Sequence, residues 1–229
     1  MPKDLAVIFD VDGVLTDSYA PHFSAWQRMF AELGLQFTDD QFRQTFGRTN
    51  RDIFAELYTD EMTKERSREL GDLKEAYYRE IISRDFTPLP GAIELIDALH
   101  AAGFKLAVGS SGPPENIALT LKKLGRADRF TAAVSGADVQ RGKPDPQVFL
   151  IAAERLGIPP HRCAVIEDAA PGVEAANRAG MTSIAVLGTT TREKLSHAKL
   201  VVDTLKELSP EKIASLIEHA APGSARGSA

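Results

Sequence analysis

Short apolar runs punctuate the chain at 5–9, 105–109, 132–134, 163–166, 183–187 and 200–202. Runs of this length bounded by Gly or Pro read as buried strands. From the second run onward they alternate with helical patterns, which predicts parallel βαβ units. Helix 92–102 carries Ile93, Leu95, Ile96 and Leu99 and stops at Gly103. Helix 145–156 follows Pro144 and stops at Gly157, and helix 172–179 starts near Pro171 and stops at Gly180.

The stretch 17–87 breaks this rhythm, with helical patterns and no convincing strand. Phe23, Trp26, Phe30 and Leu33 form one apolar stripe, the mark of a small helical core. Two more helices are expected near 50–58 and 63–83. The exit, Phe86-Thr87-Pro88-Leu89-Pro90-Gly91, has linker composition. The expected architecture is a doubly wound, mainly parallel α/β sheet of Rossmann-like type. Residues 1–16 and 88–221 supply the core and 17–87 an inserted helical-bundle cap. Two short connections would let the cap open and close over the sheet. The small, polar tail 222–229 is expected to be disordered.

Composition narrows the function classes. At 229 residues, 43% hydrophobic and net charge −5, the chain has a full core and an ordinary surface. No basic tract favours nucleic acid, and no apolar run is long enough to span a membrane. No signal peptide is legible, and the single Cys163 fits a reducing cytoplasm. Cys163 opens an apolar run, which favours a buried structural thiol over a nucleophile.

The chemistry begins where the first strand ends. Asp10-Val11-Asp12-Gly13-Val14-Leu15 follows Leu5–Phe9, so two carboxylates sit where ligands gather in an open α/β sheet. Residues i and i+2 of a strand share a face, so Asp10 and Asp12 are expected at one site. Adjacent acids repel unless a cation or proton intervenes, which points to metal or acid/base work. The pair alone equally describes a capped turn. Three further signals fall at or near strand ends: Ser110-Ser111-Gly112, Gly142-Lys143-Pro144 and Glu167-Asp168. Ser110 alone could be an N-cap, Lys143 a solvated turn residue and Glu167-Asp168 another turn. Together they offer oxygen ligands for Mg²⁺ and a hydroxyl and an ammonium for an anion.

In that order and spacing the motifs resemble those of the haloacid dehalogenase superfamily, over essentially the whole chain to about residue 220. The resemblance implies Mg²⁺-dependent phosphoryl transfer, with Asp10 as nucleophile and Asp12 as general acid and base. It implies that Ser110 and Lys143 stabilise the transferring group and that Asp10, Asp12, Glu167 and Asp168 bind the metal. Ala169 departs from the Ser that relatives often carry after the acid pair. A rival P-loop reading of Gly136 to Lys143 fails, because the spacing is wrong and Pro144 stands where Ser or Thr must hold the metal.

Within the insertion, His22, Gly47-Arg48-Thr49-Asn50-Arg51 and Lys74 resemble the β-phosphoglucomutase-like branch. That resemblance implies that His22 gates Asp12, Arg51 grips a distal phosphate and Lys74 meets sugar hydroxyls, with Ser111 also contacting substrate. Read from the residues alone, His22 is equally a helix-start residue, and Arg51 and Lys74 are solvated helix faces. The loop Gly112-Pro113-Pro114 lacks the side-chain donors a mutase uses there, so the expectation is a phosphatase of a small phosphorylated metabolite such as a sugar phosphate. β-Phosphoglucomutase activity is the alternative, and a non-catalytic binding protein that kept the fold is the second. The expected state is a cytoplasmic monomer or weak dimer.

Overall fold

A computed structural model of the chain describes residues 4–57 and 63–220. The tail 222–229, and residue 58 at the end of one expected helix, lie outside the described residues. The strands β1 (Ala6–Phe9), β2 (Lys105–Gly109), β3 (Ala132–Val134), β4 (Cys163–Glu167), β5 (Thr182–Val186) and β6 (Leu200–Val202) form one sheet. Every pairing is parallel, in the order β3-β2-β1-β4-β5-β6. Strand order reverses between β1 and β4, with Phe9 paired to both Val108 and Ile166. In doubly wound sheets that reversal opens a crevice at the C-terminal strand ends.

The period-2 alternation of β1 divides the core. Val7 and Phe9 pack with helices α5 (Ala92–Ala101), α6 (Pro114–Leu124) and α9 (Pro210–Ala220), through Leu95, Ile96, Ile117, Leu121 and Ile213. Ala6 and Ile8 pack with α7 (Gln147–Leu156) and α8 (Ala170–Arg178), through Val148, Phe149, Ala152, Ala175 and Ala176. Coverage on both faces is why these strands are apolar throughout. Helix α8 starts before the expected residue 172, because Pro171 is tolerated in a first turn whose N–H groups lack intrahelical partners anyway.

Before the sheet resumes come α1 (Tyr19–Glu32), α2 (Asp39–Thr45), α3 (Asn50–Leu57) and α4 (Lys64–Arg84). Trp26 and Phe30 of the apolar stripe are buried with Met29, Phe37, Phe42, Ile53, Phe54 and Leu70, while Phe23 and Leu33 pack on the edge. Helix α2 is absent from the periodicity reading, yet Thr38 and Gln41 form a capping box at its start. That Thr-x-x-Gln signature is legible in sequence and marks the helix. The two connections run side by side: Asp17 N donates to Thr87 O at 2.9 Å and Leu89 N to Leu15 O at 3.2 Å. They hold the helical cap over the C-terminal edge of the sheet. No helix of the described residues is long and apolar enough to cross a membrane.

Candidate active site

Strand β1 delivers Asp10 to the switch point, where its N–H donates to Ile166 O at 3.0 Å. Lys143 Nζ reaches in between the strand ends and donates to Asp10 Oδ1 at 2.6 Å and to Glu167 Oε1 at 2.7 Å. Glu167 Oε2 accepts the backbone N–H groups of Asp168 and Ala169, each at 2.8 Å. Ala169, where relatives often carry Ser, therefore still contributes its backbone donor. Asp168 Oδ2 accepts from Thr189 Oγ1 at 2.5 Å. Two glycines make room for these acids. A Cβ on Gly172 would lie 1.7 Å from Glu167 Oε1, and one on Gly13, at φ +75°, would lie 2.0 Å from Asp168 Oδ2.

Asp10, Glu167 and Asp168 are all buried, and each offers a carboxylate oxygen within 4.8 Å of the others. One ammonium faces them. Burial, opposed by Lys143 and reinforced by Glu167 and Asp12, lifts the Asp10 carboxyl to about 7. Burial and the charges of Glu167 and Asp10 lift Asp168 well above the usual carboxylate range. Burial disfavours the Lys143 ammonium, but Asp10 and Glu167 outweigh it and raise its pKa. Acids in excess over cations in a dry cleft are the donor set of a hard divalent ion. The hydrogen bonds engage Asp10 Oδ1, Asp168 Oδ2 and both oxygens of Glu167. Asp10 and Asp168 thus fit a cation best, while Glu167 is committed to orienting Lys143.

The carboxylate of Asp12 stands apart from this cluster of acids. Its side chain turns to the cap, where Oδ1 meets His22 Nε2 at 2.9 Å and accepts from Tyr78 OH at 3.1 Å. The strand ends at Phe9, and the N–H groups of Leu15 and Thr16 fold back onto Val11 O, so strand alternation no longer applies beyond it. Burial pushes the Asp12 carboxyl up, but attraction and hydrogen bonding from His22 hold it below the usual range. His22 stacks on Tyr78, ring centroids 3.7 Å apart and planes 1° from parallel.

Lys74 is buried behind His22. Its Nζ lies 2.7 Å from His22 Nδ1 and donates to Glu75 Oε1 at 2.8 Å, above the rings of Trp26 and Tyr78. It is not a solvated helix face. Glu75, Tyr78 and Asn116 were not among the residues singled out from sequence. Spacing could have exposed one of them, because Tyr78 stands four residues after Lys74 and so shares its face of the helix.

The cavity at Asp10 is narrow, about 40 Å³, and is lined by Asp10, Asp12, His22, Lys74, Ser110, Ser111, Arg48 and Asn50 among others. Ser110 is buried there and its Oγ accepts from Gly112 N at 3.0 Å. Ser111 Oγ donates across the cleft to Gly47 O at 3.0 Å, so its hydroxyl ties the core to the cap loop. Arg51 does not line this cavity. It turns to an adjoining space of about 520 Å³ bordered also by Lys64 and Arg68. Arg48 lines the cavity instead, while its guanidinium pairs with Glu56 and donates to Asp52 O at 3.3 Å. Cys163 is buried and desolvation lifts its thiol to about 12, which removes it as a nucleophile.

A family model for haloacid dehalogenase-like hydrolases matches residues 5–180. The chain is 29% identical over 217 residues to a phosphorylated carbohydrates phosphatase of Thermotoga maritima, covering 93% of this chain and 98% of that relative. It is 34% identical over 215 residues to the beta-phosphoglucomutase of Bacillus subtilis, covering 90% and 92%. A solved beta-phosphoglucomutase from Clostridium difficile matches with TM-score 0.84 at 28% identity, covering 94% of this chain and 98% of that one.

Proposed function

The chain belongs to the haloacid dehalogenase-like hydrolase family, and on that premise we propose that it is a Mg²⁺-dependent phosphatase of small phosphate monoesters, foremost phosphorylated carbohydrates. The observation that carries this reading is Asp10, held at a strand end by Lys143 at 2.6 Å, beside the acids Glu167 and Asp168. Asp10 and Asp168 would hold the ion, which when bound would place positive charge against the transferring phosphoryl oxygens.

An oxygen of Asp10 forms the new bond to phosphorus as the ester P–O bond breaks, and Asp12 gives its proton to the leaving oxygen. Water then attacks phosphorus, Asp12 takes its proton, and the bond to Asp10 breaks to release inorganic phosphate. The described state, with Asp12 accepting from His22 and Tyr78, is the form that receives a proton. Lys143 and Ser110 supply fixed positive charge and a hydroxyl beside the nucleophile.

Substrate access requires the cap to move. A cavity of about 40 Å³ holds little more than a few waters, far below the ~300–1,000 Å³ of small-molecule pockets. The lack of side-chain donors in Gly112-Pro113-Pro114, and Arg51 lying outside the nucleophile's cavity, favour water over a sugar hydroxyl as acceptor. The buried Cys163 thiol is in keeping with the reducing cytoplasm.

Phosphate release from an aryl phosphate with Mg²⁺ tests the reaction, with EDTA and Asp10→Asn both expected to abolish it. ³¹P NMR of β-glucose 1-phosphate with a trace of β-glucose 1,6-bisphosphate tests the acceptor. Inorganic phosphate supports the phosphatase, and glucose 6-phosphate accumulating without it overturns that choice in favour of a mutase.

A further inference from the structure

We propose that Glu75 and Asn116 are positioning residues that aim His22 at Asp12, and that Asn116 makes this aim depend on a closed cap. The inference rests on the role proposed above for Asp12.

Glu75 is buried and accepts at both oxygens. Lys74 Nζ and Asn50 Nδ2 each donate to Oε1 at 2.8 Å, and Asn116 Nδ2 donates to Oε2 at 2.6 Å. Only an ionised carboxylate meets donors on both sides, since a glutamine there would set its own N–H₂ against one of them. Asn116 has its amide orientation set from the other end, because its Oδ1 accepts from Arg79 at 3.0 Å. The Nδ2 of Asn116 is thereby left facing Glu75. Lys74, held by Glu75, carries donors only, so Nδ1 of His22 is the acceptor of their 2.7 Å contact. The ring proton therefore lies on Nε2 and is donated to Asp12 Oδ1. Tyr78 holds the plane of the ring by stacking and shares Asp12 as partner.

The placement of these groups gives the dependence on closure. His22, Asn50, Lys74, Glu75, Tyr78 and Arg79 all belong to the cap helices, whereas Asn116 stands on core helix α6. Helix α6 follows directly on the Ser110-Ser111-Gly112 loop that lines the nucleophile's cavity. When the cap swings away to admit an ester, Glu75 loses the core donor and His22 leaves Asp12. When it returns, Asn116 docks on Glu75 and the His22 ring is presented again. Neither Glu75 nor Asn116 need touch the substrate for this.

The test uses full-length protein with Mg²⁺ and two esters: an alkyl phosphate, whose leaving oxygen needs a proton, and 2,4-dinitrophenyl phosphate, whose leaving group needs none. For Glu75→Gln and Asn116→Leu, the single-turnover rate of alcohol release from the alkyl ester should fall about tenfold or more, a part of the ~10²–10⁴-fold that a general acid supplies. KM should stay within about twofold, since uniform binding is untouched, and the first-turnover burst of dinitrophenolate, which needs no proton from Asp12, should keep its rate within about threefold. Equal losses of the first-turnover rate on both esters, or no loss on either, overturn the inference. ¹⁵N NMR of histidine-labelled wild-type protein decides the ring geometry whether or not the variants fold. A protonated Nε2 with Nδ1 as acceptor is expected, and the reverse pattern overturns the inference. Asp10→Asn separates the two levels. If it retains wild-type turnover, the proposed reaction itself fails. If it is inactive while the positioning variants act alike on both esters, only the inference fails.

Discussion

Lys143 Nζ lies 2.6 Å from Asp10 Oδ1 across a sequence separation of 133 positions, and both side chains are buried. The same ammonium donates to Glu167 at 2.7 Å, so one cation spans β1 and β4 across the switch point. Lys143→Met therefore removes both the charge beside the nucleophile and the partner of two buried acids. We expect kcat on an aryl phosphate to fall about 100-fold or more. We expect unfolding stability to drop by roughly 3–5 kcal/mol, the cost of stripping a buried ion pair of one member. Steady-state kinetics and urea unfolding of the folded variant check the two separately.

Burial raises Asp10 from its ordinary 3.8 to about 7, against the opposing pull of Lys143. Between those values the native metal-free protein keeps a proton that the unfolded chain has lost. This group's contribution therefore makes stability fall as pH rises through the window. In EDTA, the Tm of wild type should decline from about pH 4 to about pH 7 relative to Asp10→Asn. Mg²⁺ should restore more stability above that window than below it, because it binds the ionised acids. A Mg²⁺ effect on Tm independent of pH would contradict the assigned site.

Gly172 is fixed by Glu167 more than by its own backbone. Alanine there puts a methyl 1.7 Å from Glu167 Oε1, and the acid must leave Lys143 to make room. Overpacking of this kind costs roughly 1–3 kcal/mol, and activity should fall through kcat as Lys143 loses its second partner. Thermal unfolding and kinetics of Gly172→Ala check both. Unchanged kcat would mean that Glu167 does not orient Lys143.

Arg48 lines the nucleophile's cavity and Arg51 the adjoining one. Arg48→Ala should raise KM for an aryl phosphate several-fold, about 1 kcal/mol of lost binding. Arg51→Ala should leave that KM within about twofold and raise it only for esters carrying a second anion. Comparing the two variants on an aryl phosphate and on a sugar bisphosphate distinguishes the positions.

The strands were legible as short apolar runs: 105–109, 132–134 and 200–202 coincide with β2, β3 and β6, although the edge strands β3 and β6 are only partly buried. The insertion was legible as a stretch of helical periods over 17–87, although its short α2 was visible only through the Thr38–Gln41 capping box. Asp10, Ser110, Lys143 and Asp168 were legible as polar residues at or near strand ends, where an α/β sheet gathers its chemistry. Sequence alone also exposed the composition of the acid pairs and the helix stops at Gly103, Gly157 and Gly180, since these follow from charge and local backbone.

What only the tertiary structure decided is which way each side chain turns once the chain leaves regular structure. Asp12 faces His22 and Tyr78 and not the acid cluster, because the turn after Phe9 ends the strand's alternation. Arg48, not Arg51, lines the cavity at Asp10, and Ser111 bonds the cap loop. Glu75 and Asn116 meet from two domains, 41 positions apart. The physical reason is common to all of these. Periodicity encodes which face of an element is apolar, whereas a polar partner is chosen by long-range packing of separate elements, which leaves no period in the sequence.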